Sequence, residues 1–276
     1  MPELPEVETV RRSLAPALEG ARIVSVAVRH PRLARRNESP ADVGDRLLGR
    51  LIHRMGRIGK FLLADIEGDL TWVMHLGMSG RIELAHPDEL EKPHTHVVIT
   101  TDREQEMRMV DPRTFGFVAV YTPEELADST IADLGPDALD HLPRSPVWVR
   151  RLAGRRVAIK TLLLDQRFVA GLGNIYADEV LHRAGIRPDR PAGSLTTEEI
   201  KRLRAFVHPI LQAGLRWGGT SLSDLTYLLP DGRAGEYLHR LRAYGREGLP
   251  CYRDGTPIER TVIGGRSSFW CPQCQQ

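Results

Sequence analysis

A change in the spacing of apolar residues near residue 122 constrains the fold of this chain most strongly. Before it, six short runs rich in β-branched and aromatic residues are separated by Gly, Asp and Pro: IVSVAV, LIHRM, KFLLADI, LTWVMHL, HVVITT and FGFVAVY. Short runs at regular intervals are typical of a β-sandwich or barrel. After the change, apolar residues recur at helical spacing. We therefore predict an α+β fold in which a β domain is followed by a helical one.

The segments around this change set the expected domain bounds. Residues 3–19 have the apolar spacing of a helix, which Gly20 ends. Three further helices are expected, in VAIKTLLLDQ, in NIYADEVLHRAG, and from the capping sequence SLTTEE to Gly218. The tail from Pro250 indicates a small β-hairpin. We predict a β-sandwich domain at 1–121, a linker rich in Asp, Glu and Pro at 122–146, a helical domain at 147–235 and a C-terminal module at 236–276.

Composition and charge narrow the function classes. With 41% hydrophobic and 27% charged residues, the 276-residue chain resembles ordinary globular proteins. No apolar run approaches the ~18 residues of a membrane-spanning helix, and Glu3 and Glu6 stand where a signal peptide would be basic, so we expect a cytoplasmic location. Residues 1–150 carry 19 Lys and Arg against 24 Asp and Glu, whereas the remainder carries 19 against 12. A basic C-terminal half is typical of a protein that binds a phosphate backbone. It is equally compatible with a basic surface that contacts only solvent.

The start of the chain, MPELPEVETV, carries candidate chemistry. Initiator Met is normally removed before proline, which would leave Pro2 with a free secondary amine. An α-amino group has a pKa of about 7.7–8.0, so an appreciable fraction is unprotonated near neutral pH. Its attack on an aldehyde-like carbon gives an iminium that acts as an electron sink, and Glu3 beside it can act as a general acid. The same residues also suit an ordinary helix start with Pro in the first turn.

Five motifs in order resemble one known family. MPELPEVE is followed by HLGMSG, DPRTFG, LLDQRFVAGLGNIYADEVL and a terminal GGRSSFWCPQCQ. Over essentially the whole chain, this order resembles the bacterial formamidopyrimidine-DNA glycosylase family. The resemblance implies excision of 8-oxoguanine and formamidopyrimidines from duplex DNA, followed by cleavage of the abasic site. No redox or nucleotide cofactor is implied, and nothing in the sequence suggests more than a monomer. Leu4 is typical of this purine-oriented branch, whereas the related endonuclease VIII branch usually begins MPEGPE.

The resemblance implies roles for four catalytic residues. Pro2 would attack C1′ of the damaged nucleotide and hold the sugar as a Schiff base, while Glu3 would protonate the sugar oxygen. Lys60 would assist β-elimination and contact phosphate. Arg266 would support δ-elimination and grip phosphates around the flipped nucleotide. Extruding the base from the stack costs on the order of a few kcal/mol.

A second set of residues would contact the DNA. Met78, Arg113 and Phe115 match the family's void-filling residues, since Met and Phe can wedge between bases and Arg can hydrogen-bond the orphaned partner base. On their own, Met78 and Phe115 would better suit a core or turn of a β domain; it is their place in GMSG and DPRTFG that favours contact with DNA. VAGLGN resembles the helix–two-turn–helix element, in which backbone N–H groups and the side chain of Asn174 bind phosphate. Further backbone contacts are implied for His94, Arg156 and Lys160, each of which equally suits a solvated surface group.

The three cysteines all lie in the last 26 residues, which suits a metal site better than a disulfide framework. The family carries Cys-x₂-Cys, sixteen residues, then Cys-x₂-Cys, whereas here the second ligand is an aspartate. Zinc accepts carboxylate oxygen at about 2.0–2.2 Å, although a hard oxygen weakens the site. The alternative is a finger that folds without metal and leaves Asp254 in solvent. One structural zinc ion is expected on Cys251, Asp254, Cys271 and Cys274.

Two other functions fit parts of the pattern. An endonuclease VIII-like enzyme would prefer oxidised pyrimidines, and a catalytically silent protein would bind lesions with the same helices and finger. The family places a mobile loop over the flipped base at 221–235, and the YLLP within it is more apolar than such a loop needs. The resemblance therefore implies the identity of the excised base less strongly than it implies the reaction.

Overall fold

The computed structural model describes residues 2–221 and 227–276, which form two compact units. The first unit contains residues up to 133 together with 217–238, and the second contains 134–216 together with 239–276. Each unit is thus built from two separate stretches of chain. The predicted domain bounds divide the chain more finely and stay a prediction. No helix among the described residues has the length and apolar character needed to cross a membrane.

The first unit contains an N-terminal helix and two four-stranded antiparallel sheets. Its sheet orders are β1-β6-β7-β5 and β2-β3-β4-β8, and side chains from both sheets share one apolar core with the first helix. This arrangement confirms the predicted α+β fold. The helices are α1 (Leu4–Leu18), α2 (Pro40–Leu47) and α3 (Pro123–Ala127). The strands are β1 (Ile23–Val28), β2 (Ile52–Ile58), β3 (Phe61–Ile66), β4 (Leu70–His75), β5 (Arg81–Ala85), β6 (Thr95–Thr101), β7 (Glu106–Val110) and β8 (Phe117–Tyr121).

Strands β5 and β7 were absent from the sequence-based expectation because charged residues interrupt their apolar pattern. Arg108, in β7, is nevertheless buried, and its guanidinium lies 2.6 Å from the carboxylate of Glu106. The same guanidinium donates hydrogen bonds to the carbonyls of His86 and Glu89. A buried cation with an ion pair and several carbonyl acceptors can occupy a strand that composition alone would assign to a loop.

The second unit is helical, with a two-stranded hairpin at its C-terminal end. Its helices are α4 (Ser145–Leu152), α5 (Ile159–Leu164), α6 (Asn174–Ala184) and α7 (Thr197–Arg216), and its strands are β9 (Glu259–Ile263) and β10 (Arg266–Trp270). The three expected helices are present, and Gly185 ends α6 with a φ of 68°. Helix α3 and the start of α4 lie in the segment predicted as a linker. Helix α4 forms because Trp148 and Leu152 bury one of its faces.

Candidate active site and DNA-binding residues

The N-terminus of the first unit brings two carboxylates to the start of α1. Pro2 is buried, and so are Glu3 and Glu6, which are 2% and 1% exposed. The backbone N–H of Glu3 donates to the Glu6 carboxylate at 2.8 Å. Glu3 therefore lies directly beside the predicted nucleophile, at the helix end where the dipole favours negative charge.

Glu6 connects α1 to residues 217–238, the second stretch of chain in the first unit. Its other carboxylate oxygen accepts the backbone N–H of Thr220 at 2.7 Å. A Cβ added at Gly219 would lie 2.8 Å from Glu6 Oε1, and Gly219 has a φ of 84°, so only glycine suits this close approach. The hydroxyl of buried Tyr227 donates to the carbonyl of Gly218 at 3.0 Å. These bonds fix the segments on both sides of residues 222–226; the loop predicted at 221–235 lies in part outside the described residues.

Lys60 lies in the two-residue turn that joins β2 to β3, where it is largely buried. Its charge acts on His75, which follows in β4 and which the sequence prediction missed. Burial, followed by the charge of Lys60, lowers the pKa of His75 to about 4, so the imidazole is neutral near pH 7. The backbone N–H of Gly77 donates to its Nδ1 at 3.1 Å, which leaves the hydrogen on Nε2. His75 is thus a neutral hydrogen-bond donor within the HLGMSG motif.

The predicted void-filling residues lie on two adjacent turns of the first unit. Met78 is 36% exposed, unlike the methionines of the core. A Cβ at Gly77 would lie 2.5 Å from the backbone nitrogen of Gly116, so a glycine is needed for the two turns to touch. The ring of Phe115 lies 4.7 Å from the guanidinium carbon of Arg113, which is itself exposed. The structure therefore brings Met78, Arg113 and Phe115 to neighbouring turns with part of their surface available to a ligand.

Asp111, the first residue of DPRTFG, holds these two turns together. It has no exposed surface, and its carboxylate accepts the hydroxyl of Ser79 at 2.6 Å and the backbone N–H of Gly116 at 2.7 Å. It also accepts the backbone N–H of Arg113 at 3.3 Å. The sequence signal for this role was an aspartate followed by proline, which favours side-chain to backbone bonds in a turn.

Asp111→Ala is expected to lower the free energy of unfolding by about 3 kcal/mol, because it leaves several buried donors without an acceptor. Asp111→Asn keeps one carbonyl oxygen and should cost less. Urea denaturation measures both changes. Asp88→Ala, at a carboxylate that is 92% exposed, is the matched control and should stay within about 0.5 kcal/mol of the parent chain. Equal losses at Asp111 and Asp88 would contradict the bridging role.

Arg266 begins strand β10 of the second unit with an exposed side chain. Gly264 and Gly265 form the two-residue turn before it, and their φ values of 57° and 74° are those that a tight hairpin turn requires. The carbonyl of the next residue, Ser267, accepts hydrogen bonds from Lys160 Nζ at 2.7 Å and from the Asn174 amide at 3.0 Å. Helices α5 and α6 therefore fix the backbone beside Arg266.

Lys160 belongs to a fully buried ion pair. Its ammonium lies 2.7 Å from the carboxylate of Asp178, and neither side chain has any exposed surface. Asp178 in turn accepts the backbone N–H of Phe269 in β10 at 3.0 Å. Burial raises the pKa of Asp178 to about 7, and the charge of Lys160 opposes that rise. With no surface to offer, Lys160 cannot touch a phosphate in this conformation; it positions the hairpin instead of making the predicted backbone contact.

The other predicted backbone contacts differ in accessibility. Arg156 and His94 are exposed, and His94 has a φ of 66°, in the left-handed region. Asn174 is half-buried at the first position of α6. Its amide nitrogen is used by the hairpin, while its carbonyl oxygen is buried with no hydrogen-bond partner among the described residues. The backbone at the start of α6 thus stays a candidate phosphate site.

Lys160→Met is expected to lower the free energy of unfolding by about 3–5 kcal/mol, because it leaves the buried carboxylate of Asp178 without its counter-charge. Combining it with Asp178→Asn should recover much of that loss, since no unpaired charge is then buried. Chemical denaturation of the two single variants and the double variant tests this. Additive losses in the double variant would show that the two groups do not act as a pair.

Four residues of the tail converge on one point, where a metal ion fits. The ligand atoms of Cys251, Asp254, Cys271 and Cys274 all lie within 4.8 Å of one another. The sulfur atoms of Cys251 and Cys274 are 3.8 Å apart, and a carboxylate oxygen of Asp254 lies 3.5 Å from the sulfur of Cys271. Two sulfurs on a tetrahedral zinc are about 3.8 Å apart, and a sulfur and an oxygen about 3.6 Å. The aspartate carboxylate therefore lies where the missing thiolate would be, and the donor set suits one zinc ion.

Helix α6 contributes further polar side chains to the tail that the sequence prediction missed. The carboxylate of Glu179 accepts the backbone N–H groups of Arg242, Ala243 and Tyr244 at 2.8 to 3.0 Å. Burial raises the pKa of Glu179, and these backbone donors oppose the rise. The available signal was a pair of adjacent acidic residues between the apolar residues of the segment IYADEVL. Glu179 thus fixes the chain that leads into the metal cluster.

Comparison with known proteins gives a consistent assignment along the chain. Residues 1–118 match the formamidopyrimidine-DNA glycosylase N-terminal domain, and residues 134–226 match the H2TH domain of the same family. Residues 248–276 match the zinc finger found in FPG and IleRS. The formamidopyrimidine-DNA glycosylases of Geobacillus kaustophilus and Heliobacterium modesticaldum are 42% and 44% identical to this chain, and each alignment covers both proteins completely.

Solved structures agree with these relatives. A Lactococcus lactis FPG variant in complex with DNA containing Fapy-dG has a TM-score of 0.92 at 32% identity, with both chains fully covered. The FPG protein of Thermus thermophilus has a TM-score of 0.90 at 40% identity, covering 99% of this chain and 98% of that one. The chain therefore belongs to the formamidopyrimidine-DNA glycosylase family of DNA-repair enzymes.

Proposed function

We propose that this chain excises oxidised purines from duplex DNA through a Schiff base on Pro2 and then cleaves the abasic site. The observation that carries the proposal is the buried carboxylate of Glu3, adjacent to Pro2 at the start of α1. Family membership supports the reaction class, whereas the residue roles rest on this geometry and on the motifs. The proposal requires removal of Met1, because a retained Met1 would leave the nitrogen of Pro2 in an amide.

The first step joins the Pro2 nitrogen to C1′ of the damaged nucleotide and breaks the bond between C1′ and the base, which leaves with the electron pair of that bond and takes up the proton that the Pro2 nitrogen loses. Glu3 gives a proton to the sugar ring oxygen, so that the ring opens and the nitrogen becomes a positively charged iminium. The iminium accepts the electron pair released when a proton leaves C2′, and the 3′ phosphate departs in β-elimination. A second elimination releases the 5′ phosphate. Lys60 assists the first elimination and Arg266 the second, each beside a phosphate.

Two groups of residues hold the DNA partner. In the first unit, Met78, Arg113 and Phe115 fill the space left by the extruded nucleotide and contact its partner base. Phosphate contacts come from the exposed side chains of His94, Arg156 and Arg266 and from the backbone at the start of α6 near Asn174. Solved relatives in complex with DNA containing an abasic site or Fapy-dG support this kind of partner.

The proposal includes one structural zinc ion in the C-terminal tail. Cys251, Asp254, Cys271 and Cys274 would hold it, and it would cross-link the loops at the base of the hairpin that carries Arg266. When bound, the ion supplies folding free energy and no chemistry to the reaction. The same proposal places the protein in the cytoplasm, where it would reach chromosomal DNA as a monomer.

Excision assays on matched duplexes test the substrate class. The duplexes differ only in one base, which is 8-oxoguanine, a formamidopyrimidine derived from guanine, or an oxidised pyrimidine such as thymine glycol. We expect excision of the two purine lesions to exceed that of the pyrimidine lesion at equal enzyme and DNA concentrations. Preferential excision of thymine glycol would overturn the purine assignment in favour of an endonuclease VIII-like specificity.

A further inference from the structure

A histidine from helix α6 lies against the cysteine cluster, although no motif assigns it there. His182 is fully buried, and its Nε2 lies 3.4 Å from the sulfur of Cys251 and 3.9 Å from the sulfur of Cys274. These are distances of direct contact between a ring nitrogen and two of the four metal-binding groups. The imidazole therefore belongs to the surroundings of the metal and is not an ordinary core side chain.

The surroundings of the second ring nitrogen, Nδ1, indicate which tautomer His182 adopts. Its Nδ1 is buried and has no hydrogen-bond partner among the described residues. If Nδ1 carried the hydrogen, a buried donor would be left unsatisfied, at a cost of about 1–3 kcal/mol. If Nε2 carries it, the hydrogen points at the sulfurs and Nδ1 is only an unused acceptor. The surroundings therefore favour the tautomer with hydrogen on Nε2.

The surroundings of Nδ1 also argue against His182 as a metal ligand. A histidine that binds a metal through one nitrogen almost always donates the other N–H to a carboxylate, a carbonyl or water. No such acceptor lies next to Nδ1 within residues 2–221 and 227–276. Four other ligand atoms already surround the metal position, which fills the tetrahedral coordination that structural zinc prefers.

We propose that His182 is a positioning residue of the zinc site that donates its Nε2–H to the thiolate of Cys251 and, over the longer distance, to that of Cys274. Three thiolates and the carboxylate of Asp254 give the zinc complex an excess of negative charge. A hydrogen bond to an ionised acceptor is stronger than one between neutral groups, so the donor stabilises the metal-bound thiolates. His182 thereby compensates for the weaker ligand at position 254. The inference rests on the zinc assignment and is independent of the glycosylase reaction.

NMR on the full-length protein, labelled with ¹⁵N and loaded with ¹¹³Cd in place of zinc, tests the tautomer directly. We expect a protonated Nε2 and an unprotonated Nδ1 for His182, with no scalar coupling between the cadmium and the imidazole. A hydrogen on Nδ1, or a one-bond coupling between cadmium and Nε2, would overturn the proposal, the latter by making His182 a ligand. This measurement needs no substitution at the buried position.

A matched pair of variants tests the effect on metal binding. His182→Phe retains the ring and removes the donor, and it should weaken zinc binding by about 10- to 100-fold in competition with a chromophoric chelator. The visible absorption bands of the cobalt-loaded variant should keep their positions, since the ligand set is unchanged.

The exposed His208, changed to Phe, is the control and should leave zinc affinity unaltered. Unchanged affinity in His182→Phe, or shifted cobalt bands, would contradict the proposal. Neither readout depends on DNA repair activity, so failure here is distinct from failure of the proposed function.

Discussion

A chain that retains Met1 is expected to lose base excision and strand cleavage together, by a factor on the order of 10³ or more, as when other enzymes lose their nucleophile. The nitrogen of Pro2 is then part of a peptide bond, and its electron pair is delocalised into the carbonyl. Inserting Leu between Met1 and Pro2 produces such a chain, because a large second residue prevents removal of the initiator. Rates on a duplex with one 8-oxoguanine give the comparison.

The control for this insertion is Pro2→Gly, in which Met1 is still removed and a primary amine remains. It should retain a measurable part of the lyase activity, whereas the blocked chain should retain none. DNA affinity, measured by fluorescence anisotropy on an uncleavable abasic analogue, should stay similar in both. Full activity in a chain whose retained Met1 is verified by mass spectrometry would exclude Pro2 as the nucleophile.

Glu3→Gln is expected to reduce excision of 8-oxoguanine by about 10²- to 10⁴-fold, the usual effect of removing a general acid. Cleavage of a preformed abasic site should fall much less, because that sugar opens to an aldehyde without loss of a base. Single-turnover rates on the two substrates separate the steps. Glu124→Gln, at an exposed glutamate, serves as the control. An equal loss on both substrates would assign Glu3 to structure or to the lyase steps instead.

Much of the fold followed from the sequence because its apolar periods were strong. Val7, Val10, Leu14 and Leu18 gave α1 its buried stripe, and all four are buried in the core. The strands missed were those in which charged residues interrupt the apolar pattern, as the buried Arg108 does in β7. Apolar periodicity does not reveal that the carbonyl acceptors of this buried cation lie 19 and 22 residues away along the chain.

The site residues that lie within a sequence motif could be predicted. The contacts between residues far apart in the chain could not. Residue order was enough to suggest Pro2, Glu3 and the metal-binding quartet. It gave no indication that Glu6 would hold the backbone of Thr220, because the two residues are 214 positions apart. The family resemblance implied a phosphate contact for Lys160, and its ion-pair partner Asp178 cannot be identified without the fold.

Borohydride trapping on duplex DNA containing 8-oxoguanine tests the central claim most directly. The enzyme, with its N-terminal proline verified by mass spectrometry, is mixed with the duplex and reductant, and the adduct is digested and sequenced. We predict one covalent complex, with the reduced sugar attached to the nitrogen of Pro2. Absence of any adduct would favour a protein that binds lesions without chemistry, and attachment to a lysine such as Lys60 would contradict Pro2 as the nucleophile.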